Sequence, residues 1–432
     1  MAWHDCYGGN GLKLTALNGF KDILPDETSL WYQVESQARN LLERFHFSEI
    51  RLPVLEKTEL FARSIGATTD IVEKEMYTFI DKQVTMRPEA TASLMRAFIQ
   101  HNLQAQKPIQ RLFTIGPMFR HERPQKGRLR QFHQMDVEVL GSASPRIDAE
   151  LMAMGSLLFT ELGIAVKLEL NSLGCPECRP SYRKNLLEFI NSRLDRLCSD
   201  CKRRSTTNPL RVLDCKKSAC KKQVKDAPSI LEHLCADCDE HFLSVQKHLD
   251  QLDVEFSLNK FMVRGLDYYV RTTFEFVTDE LGAQSAVCAG GRYDGLIEAL
   301  GGGKTPGIGF ALGLERLVLL LQLYDNGAAQ ENTIDLFLAG LGEAASECCF
   351  KLMHELRRSG IRADMDLDIK SLKSQMKQAD KAGAAHVLII GEQELEDRKA
   401  ILRDMATKEQ QRVAIEAAVI KQAVERESRT MA

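Results

Sequence analysis

The stretch from Phe119 to Gln134 limits what this chain can fold into more than any other. It sets five cations, Arg120, Arg123, Lys126, Arg128 and Arg130, beside a single acid, Glu122. Leu112-Phe113-Thr114-Ile115 leads in as an apolar, β-prone run. Met135-Asp136-Val137-Glu138-Val139 leads out with the period-two alternation of a strand. Pro124 and Gly127 between them are turn residues. The pattern predicts strand, long cationic loop, strand. Such a loop holds guanidinium forks where several phosphate oxygens can be clamped. Taken alone, the same pattern describes a solvated charged hairpin, the commoner case, so its meaning depends on its neighbours.

Upstream, residues 1–13 form a loose leader. A helical pattern opens at Asp26-Glu27-Thr28, with Asp26 or Thr28 as cap, and runs through Leu30, Trp31, Val34, Ala38, Leu41, Leu42 and Phe45. Ser48 to Leu55 reads as a strand whose Pro53 suits an edge or an interface. Thr85-Met86-Arg87-Pro88-Glu89-Ala90-Thr91 follows a further short strand and leads into an apolar helix from Ala92 to Ile99. Downstream come a helix from Ile147 to Leu162 and a strand from Val166 to Asn171. Residues 173–257 are helical, basic and cysteine-rich, the mark of an insertion. Strands resume at Phe261 to Arg264 and Thr272 to Val277. A glycine-rich turn at 290–295 and a loop at 301–305 follow, and Gly307 to Phe310 leads into an apolar helix from Ala311 to Leu323. Asp325-Asn326-Gly327 marks a linker. From residue 333 strands and helices alternate, as in a small α/β domain.

At 432 residues the chain has material for two or three domains. No run approaches the ~18 apolar residues of a membrane span, and the N-terminus lacks the blocks of a signal peptide. The expectation is a cytoplasmic protein without membrane contact, whose twelve cysteines are thiols or metal ligands. The net charge of −3 carries no global sign of nucleic acid. Between Cys201 and Lys225, however, nine Lys/Arg face only Asp214, a segment able to follow a phosphate backbone.

Three further segments bear on chemistry. Gly301-Gly302-Gly303-Lys304-Thr305 ends like a phosphate-binding P-loop, but the earlier glycine that the motif needs is Glu298, so a plain loop is expected. Val263-Arg264-Gly265-Leu266-Asp267-Tyr268-Tyr269 places one cation and two phenols close together after a strand. Gly309-Phe310-Ala311-Leu312-Gly313-Leu314-Glu315-Arg316-Leu317 has small residues that let a helix sit near a sheet. Each alone fits ordinary packing.

Together they carry a family resemblance. Ser48 to Pro53, Phe119 to Gln134 and Gly309 to Leu317 resemble motifs 1, 2 and 3 of class II aminoacyl-tRNA synthetases, in that order. Thr85 to Thr91 and Arg264 to Tyr269 resemble the histidine-binding signatures of the histidyl-tRNA synthetase family, with Ala90 where the family often has glycine. The resemblance covers residues 14–425. It implies an α+β catalytic core, an antiparallel sheet flanked by helices of the class II synthetase type, with a helical insertion and a C-terminal α/β domain. The core would comprise residues 14–172 and 258–326, and residues 333–432 would be the anticodon-binding domain. It also implies a homodimer formed through the motif 1 region.

Activation joins a carboxylate to the α-phosphate of ATP. Two anions must meet, so the need is fixed positive charge and alignment. The resemblance implies that Arg120 bridges carboxylate and α-phosphate, with Arg264 a second cation there. Arg128 and Arg316 would hold the triphosphate tail, Glu122 the adenine or ribose side, and Phe132 would stack on adenine, with Mg²⁺ on the phosphates. Glu138 and Tyr269 would take the imidazole ring, which offers one donor and one acceptor. Glu89, Ala90, Thr91 and Gln134 would take the amino and carboxylate ends, supported by Tyr268. Gln125, Lys126 and Arg130 would read the tRNA acceptor end. A rival, a silent histidine-binding regulatory paralogue of histidine biosynthesis, would be expected to lose Arg120, Arg264, Arg316 and the terminal domain; all are present.

Eight cysteines fall in the insertion, as Cys175/Cys178, Cys198/Cys201, Cys215/Cys220 and Cys235/Cys238. Paired spacing of this kind suits tetrahedral zinc. Two readings stand: one or two structural Zn²⁺ ions stabilising a thin core, or reduced, partly buried thiols.

Overall fold

Alternation of side chains along eight strands organises the first of two units. The computed structural model describes residues 14–324, except 67, 68, 70, 126, 265, 267, 283 and 284, and residues 334–430. The leader at 1–13, Lys126 and the linker at 325–327 lie outside the described residues. The chain divides into units Met1–Gly327 and Ala328–Ala432.

The strands of the main sheet of the first unit are β1 (Ser48–Glu49), β2 (Gln110–Phe119), β3 (Gln131–Leu140), β4 (Lys167–Ser172), β5 (Phe256–Leu258), β6 (Val270–Val277), β7 (Ala286–Arg292) and β8 (Gly307–Gly313). They lie in the order β1-β2-β3-β8-β7-β6-β4-β5. The sheet is antiparallel through its middle, as expected, but β1 pairs parallel with β2, and β4 with β5, at its two edges. Both parallel pairs are joined by long helical crossovers, the connection that parallel pairing requires. The second of these crossovers is the insertion.

On β3, Met135, Val137 and Val139 face an apolar core shared with Phe274 and Phe276 of β6 and Ile308, Phe310 and Leu312 of β8. Helices α1 (Pro25–Arg44) and α3 (Pro145–Glu161) cover this face, joined by the helices Ala236–Gln251 and Leu314–Tyr324. The intervening residues Gln134, Asp136 and Glu138 therefore point to the opposite face, beside helix α2 (Thr91–Gln100). That face carries the site.

One buried charge cluster ties the layers together. Asp148 of α3 accepts bonds from Arg292 Nη2 at 2.6 Å and Nε at 3.0 Å, and pairs with His241 Nε2 at 2.9 Å. Burial alone would raise the pKa of Asp148, but Arg292 and His241 hold it below the ordinary value. Removing one partner leaves the other charge stranded. Asp148→Ala is expected to cost about 3–5 kcal/mol in urea unfolding. A loss under about 1 kcal/mol would show that Arg292 is satisfied by Asp294 and the Ser142 and Ser144 carbonyls, to which it also donates.

Several boundaries differ from the sequence expectation. No side chain caps α1: its N-cap is Leu24, Pro25 opens the helix, and the Thr28 hydroxyl donates to the Pro25 carbonyl at 3.0 Å. The strand expected over Ser48 to Leu55 breaks into Ser48–Glu49 and Leu55–Lys57, with Pro53, which has no N–H to give a ladder, in the gap. Phe261 to Arg264 is not a strand: Asn171 Nδ2 donates to the Met262 carbonyl, while Phe261 and Val263 pack on the insertion core. Gly290 and Gly291 are not a turn but lie within β7. Ala311 belongs to β8, and the helix begins at Leu314.

In the insertion, helices α4 (Arg179–Asn191) and α5 (Ser199–Thr207) border a small cluster of Tyr182, Leu186, Ile190, Val212 and Ile230 that includes Cys201, Cys215 and Cys220, whereas helix α6 (Ala236–Gln251) packs on the main core through Phe242, Val245 and Leu249. The second unit is a five-stranded sheet with its first three strands parallel, Ala363–Met365, Leu336–Gly340 and His386–Ile390, followed by the antiparallel Lys399–Asp404 and Gln410–Ala414. Helices Glu343–Arg358 and Ala417–Thr430 cover one face, and Leu372–Lys381 the other.

Candidate active site

The face of the main sheet opposite the large core opens into a cleft of about 800 Å³. Strand register builds its floor. Gln134, Asp136 and Glu138 of β3 lie opposite Gly313, Ala311 and Gly309 of β8. Three acid or amide side chains thus face three small residues, which leaves room for a ligand above them. A Cβ on Gly309 would sit 1.5 Å from Glu138 Oε2 and 2.5 Å from the Val137 carbonyl. Only glycine fits there.

The buried end of the cleft is polar. Glu138 accepts from the Thr91 hydroxyl at 2.7 Å and from the Tyr293 hydroxyl. Glu89 accepts the Ala92 amide at 3.0 Å, so its carboxyl sits at the start of α2, next to Ala90 as N-cap. Tyr268 packs edge-on against Tyr293 at 5.7 Å and beside Tyr269 at 4.7 Å. Glu89 Oε2, Gln134 Oε1, Asp136 Oδ2 and Arg264 Nε are buried with no partner within the chain. Groups of this kind cost stability unless something bonds them. Four of them converging on one cleft mark it as a place for a polar ligand.

Loss of solvent pushes the pKa of both Asp136 and Glu138 up to about 8, and their neighbouring carboxyls add to it. Both are therefore largely protonated at neutral pH. The folded state then holds protons that the unfolded chain has released, so this contribution to stability is present at low pH and is lost as pH rises from about 4 through 8. Glu138→Gln is expected to reduce the fall in thermal midpoint across that window. An unchanged slope would mean that Glu138 is already ionised in the fold.

The open end is cationic. Arg120, just past β2, donates from Nε to the Pro88 carbonyl at 2.8 Å and lies over the Phe132 ring at 5.2 Å. Arg128 pairs with Glu122, and Arg316 donates to the Ala286 carbonyl. Arg264 pairs with Glu275 at 2.6 Å and lies over the Tyr269 ring at 5.1 Å. Burial disfavours the charge on Arg120 and lowers its pKa, yet guanidinium remains charged. Lys216, Lys221 and Lys225 of the insertion line the same cleft.

The structure thus brings Glu89, Thr91, Arg120, Glu122, Arg128, Phe132, Gln134, Glu138, Arg264, Tyr268, Tyr269 and Arg316 around one space. Gln125 and Arg130 are not in its lining. Arg130 is turned back, donating to the Glu122 carbonyl at 3.1 Å and the Asn18 carbonyl at 3.3 Å. Gly301 to Thr305 is also absent from the lining among the described residues, in keeping with a plain loop. Sequence reasoning missed Tyr293, Asp136 and Glu275. The alternation along β3 and β6 could have found the two acids, whereas nothing local marks Tyr293.

Comparison with known proteins agrees with this geometry. The family model described as histidyl-tRNA synthetase matches residues 19–317, and the anticodon binding domain model matches residues 335–422. A histidine–tRNA ligase of Desulfotalea psychrophila is 63% identical over 409 residues, 94% of this chain and 95% of the relative. Its counterpart in Geobacter sulfurreducens is 54% identical, over 91% and 95%. The crystal structure of apo S. aureus histidyl-tRNA synthetase superposes with a TM-score of 0.78 at 36% identity, covering 95% of this chain and 99% of that one. An ATP phosphoribosyltransferase regulatory subunit/histidyl-tRNA synthetase from Bacillus halodurans, at 18% identity and a TM-score of 0.63, shares the fold.

Proposed function

The chain belongs to the histidyl-tRNA synthetase family, and from that premise we propose that it activates histidine with ATP to histidyl-adenylate and pyrophosphate, then transfers histidine to the 3′ end of its cognate tRNA. The observation that carries this is a single cleft with arginines at its open end and unpartnered buried acceptors at its closed end. Substrates sort accordingly, the nucleotide to the cations and the amino acid to the acids.

Arg120 is the group to hold the histidine carboxylate against the α-phosphate, with Arg264 as a second cation lining the same cleft. Two fixed guanidinium groups offset the repulsion between these anions and orient them for in-line attack. The oxygen of the carboxylate bonds to the α-phosphorus as the bond to pyrophosphate breaks. Arg128 and Arg316 take the departing phosphates, Glu122 the adenine or ribose side, and Phe132 gives adenine a face to stack on. Mg²⁺ fits this donor set, because Glu122 and Glu275 bring hard carboxylate oxygens to the cleft, and it would shield the triphosphate when bound.

Glu138, held by Thr91 and Tyr293, receives one ring nitrogen of histidine, and Tyr269 the other. Glu89, Gln134 and the backbone at Ala90 and Thr91 serve the amino and carboxylate ends, with Tyr268 as a wall. A side chain that cannot pair with Glu138 leaves a buried polar group unmet, which is how such a pocket discriminates. For tRNA, Gln125, Lys126 and Arg130 are assigned to the acceptor end, the basic 201–225 segment to the backbone, and residues 333–432 to the anticodon. The enzyme works in the cytoplasm as a homodimer through the motif 1 region, where β1 is an edge strand. No helix among the described residues is long and apolar enough to cross a membrane.

Charging of cognate tRNA tests the full reaction. The protein is expected to attach labelled histidine to tRNA in an ATP-dependent manner. Binding of histidine without charging would mark a regulatory paralogue instead.

A further inference from the structure

The eight insertion cysteines do not mix. Cys175, Cys178, Cys235 and Cys238 form one group, Cys198, Cys201, Cys215 and Cys220 another, and within each all four sulfurs lie within 4.8 Å of one another. We propose that each quartet is a tetrathiolate zinc site, so that the insertion carries two structural Zn²⁺ ions, a root site and an outer site.

Distances carry the first part of the case. Cys175 Sγ is 3.6 Å from Cys178 Sγ and 3.8 Å from Cys235 Sγ. Four sulfurs at a Zn–S distance of about 2.3 Å in tetrahedral array stand about 3.8 Å apart. The observed spacing is that of ligands around an ion and far too long for a disulfide. A tetrahedral S₄ set selects zinc or iron among biological metals.

Local geometry supports it. In each quartet, the Cys-x₂-Cys pairs sit at turns and helix starts: Cys178 precedes α4, Cys198 precedes α5 and Cys235 precedes α6. Backbone N–H groups aim at sulfur, Cys235 N to Cys178 Sγ at 3.1 Å and Cys198 N to Cys220 Sγ at 3.3 Å. Such bonds are the outer shell that steadies thiolate ligands. Four thiolates and one Zn²⁺ leave a doubly negative centre, and the nine Lys/Arg between Cys201 and Lys225 offset it at the outer site. The insertion core is small, and metal binding supplies folding energy where apolar burial is scarce.

The root site has a second role. It closes the insertion where it leaves and re-enters the core, because Cys175 follows β4 and Cys235 opens α6. Arg179, next to Cys178, donates to the Leu173 carbonyl at 3.3 Å and to the Tyr269 carbonyl. A metal there fixes the backbone of Tyr269, which lines the cleft. This coupling rests on the histidine reading of that wall; the metal count does not.

Metal analysis of the full-length protein purified without chelator, with a parallel cobalt(II) substitution, tests the proposal. Two zinc ions per chain are expected, and cobalt should give the visible absorption of a tetrahedral tetrathiolate. Cys235→Ser/Cys238→Ser should lose one zinc and raise KM for histidine several-fold with KM for ATP little changed. Cys215→Ser/Cys220→Ser should lose one zinc and leave KM for histidine near its starting value. Less than about 0.5 zinc per chain, stoichiometric iron, or no tetrathiolate cobalt spectrum in the parent protein would overturn it whether or not the variants fold. An unchanged KM for histidine in the root variant would overturn the coupling. Two zinc ions on a protein with no response to histidine would instead sink the functional reading and leave the metal sites standing.

Discussion

Arg264→Ala is expected to slow histidine-dependent pyrophosphate exchange by about two to three orders of magnitude while histidine binding largely survives. The side chain is nearly buried, pairs with Glu275 at 2.6 Å, and leaves its Nε without a partner in the empty cleft. A preorganised charge aimed where negative charge gathers in the transition state contributes about 3–4 kcal/mol. In the proposed reading histidine is held mainly by Glu89, Thr91, Gln134 and Glu138, none of which bonds Arg264. Titration calorimetry beside exchange kinetics separates the two effects. If binding falls as far as the rate, Arg264 chiefly shapes the pocket through Tyr269 and Glu275.

Gly309→Ala is expected to remove activity with histidine by a different route. The new methyl group would overlap Glu138 Oε2 and crowd the Val137 carbonyl across the β3–β8 pair. Neither the carboxyl, held by Thr91 and Tyr293, nor the strand backbone can yield cheaply. Glu138 must leave its position, and with it go the bonds proposed for it to the substrate ring. Losing one or two bonds of about 1.5–3 kcal/mol each lowers kcat/KM for histidine by about one to four orders of magnitude. ATP binding, at the other end of the cleft, should change little. A parallel loss of ATP affinity would mean that the floor moves as a whole.

Much of this site was visible in the sequence because it obeys short-range rules. The alternation Met135-Asp136-Val137-Glu138-Val139 placed two acids on one strand face, and β3 carries them there, both buried. The arginines of the 119–134 loop were legible as a cluster, since Arg120 and Arg128 do gather at the cleft. What failed was decided by partners distant in sequence. Gly290 looks like a turn residue, yet it sits in β7 because a Cβ would lie 2.4 Å from the Gly309 carbonyl of β8. Ala311 to Gly313 reads as the start of a helix, but pairing with β3 and β7 extends the strand through it. Tyr293 reaches Glu138 only because β8 brings β3 and β7, which are far apart in sequence, to either side of it. The eight cysteines left zinc sites and reduced thiols both open, and their spacing did not reveal that the first and last pairs join while the middle pairs form a separate group.

In the proposed reaction this cleft joins histidine to the α-phosphate of ATP. Exchange of labelled pyrophosphate into ATP, run with each of the twenty amino acids in turn, tests it most directly. Rapid exchange with histidine, and none above background with the other nineteen, is the predicted result. No exchange with histidine from protein that still binds it, or equal exchange with another amino acid, would contradict it.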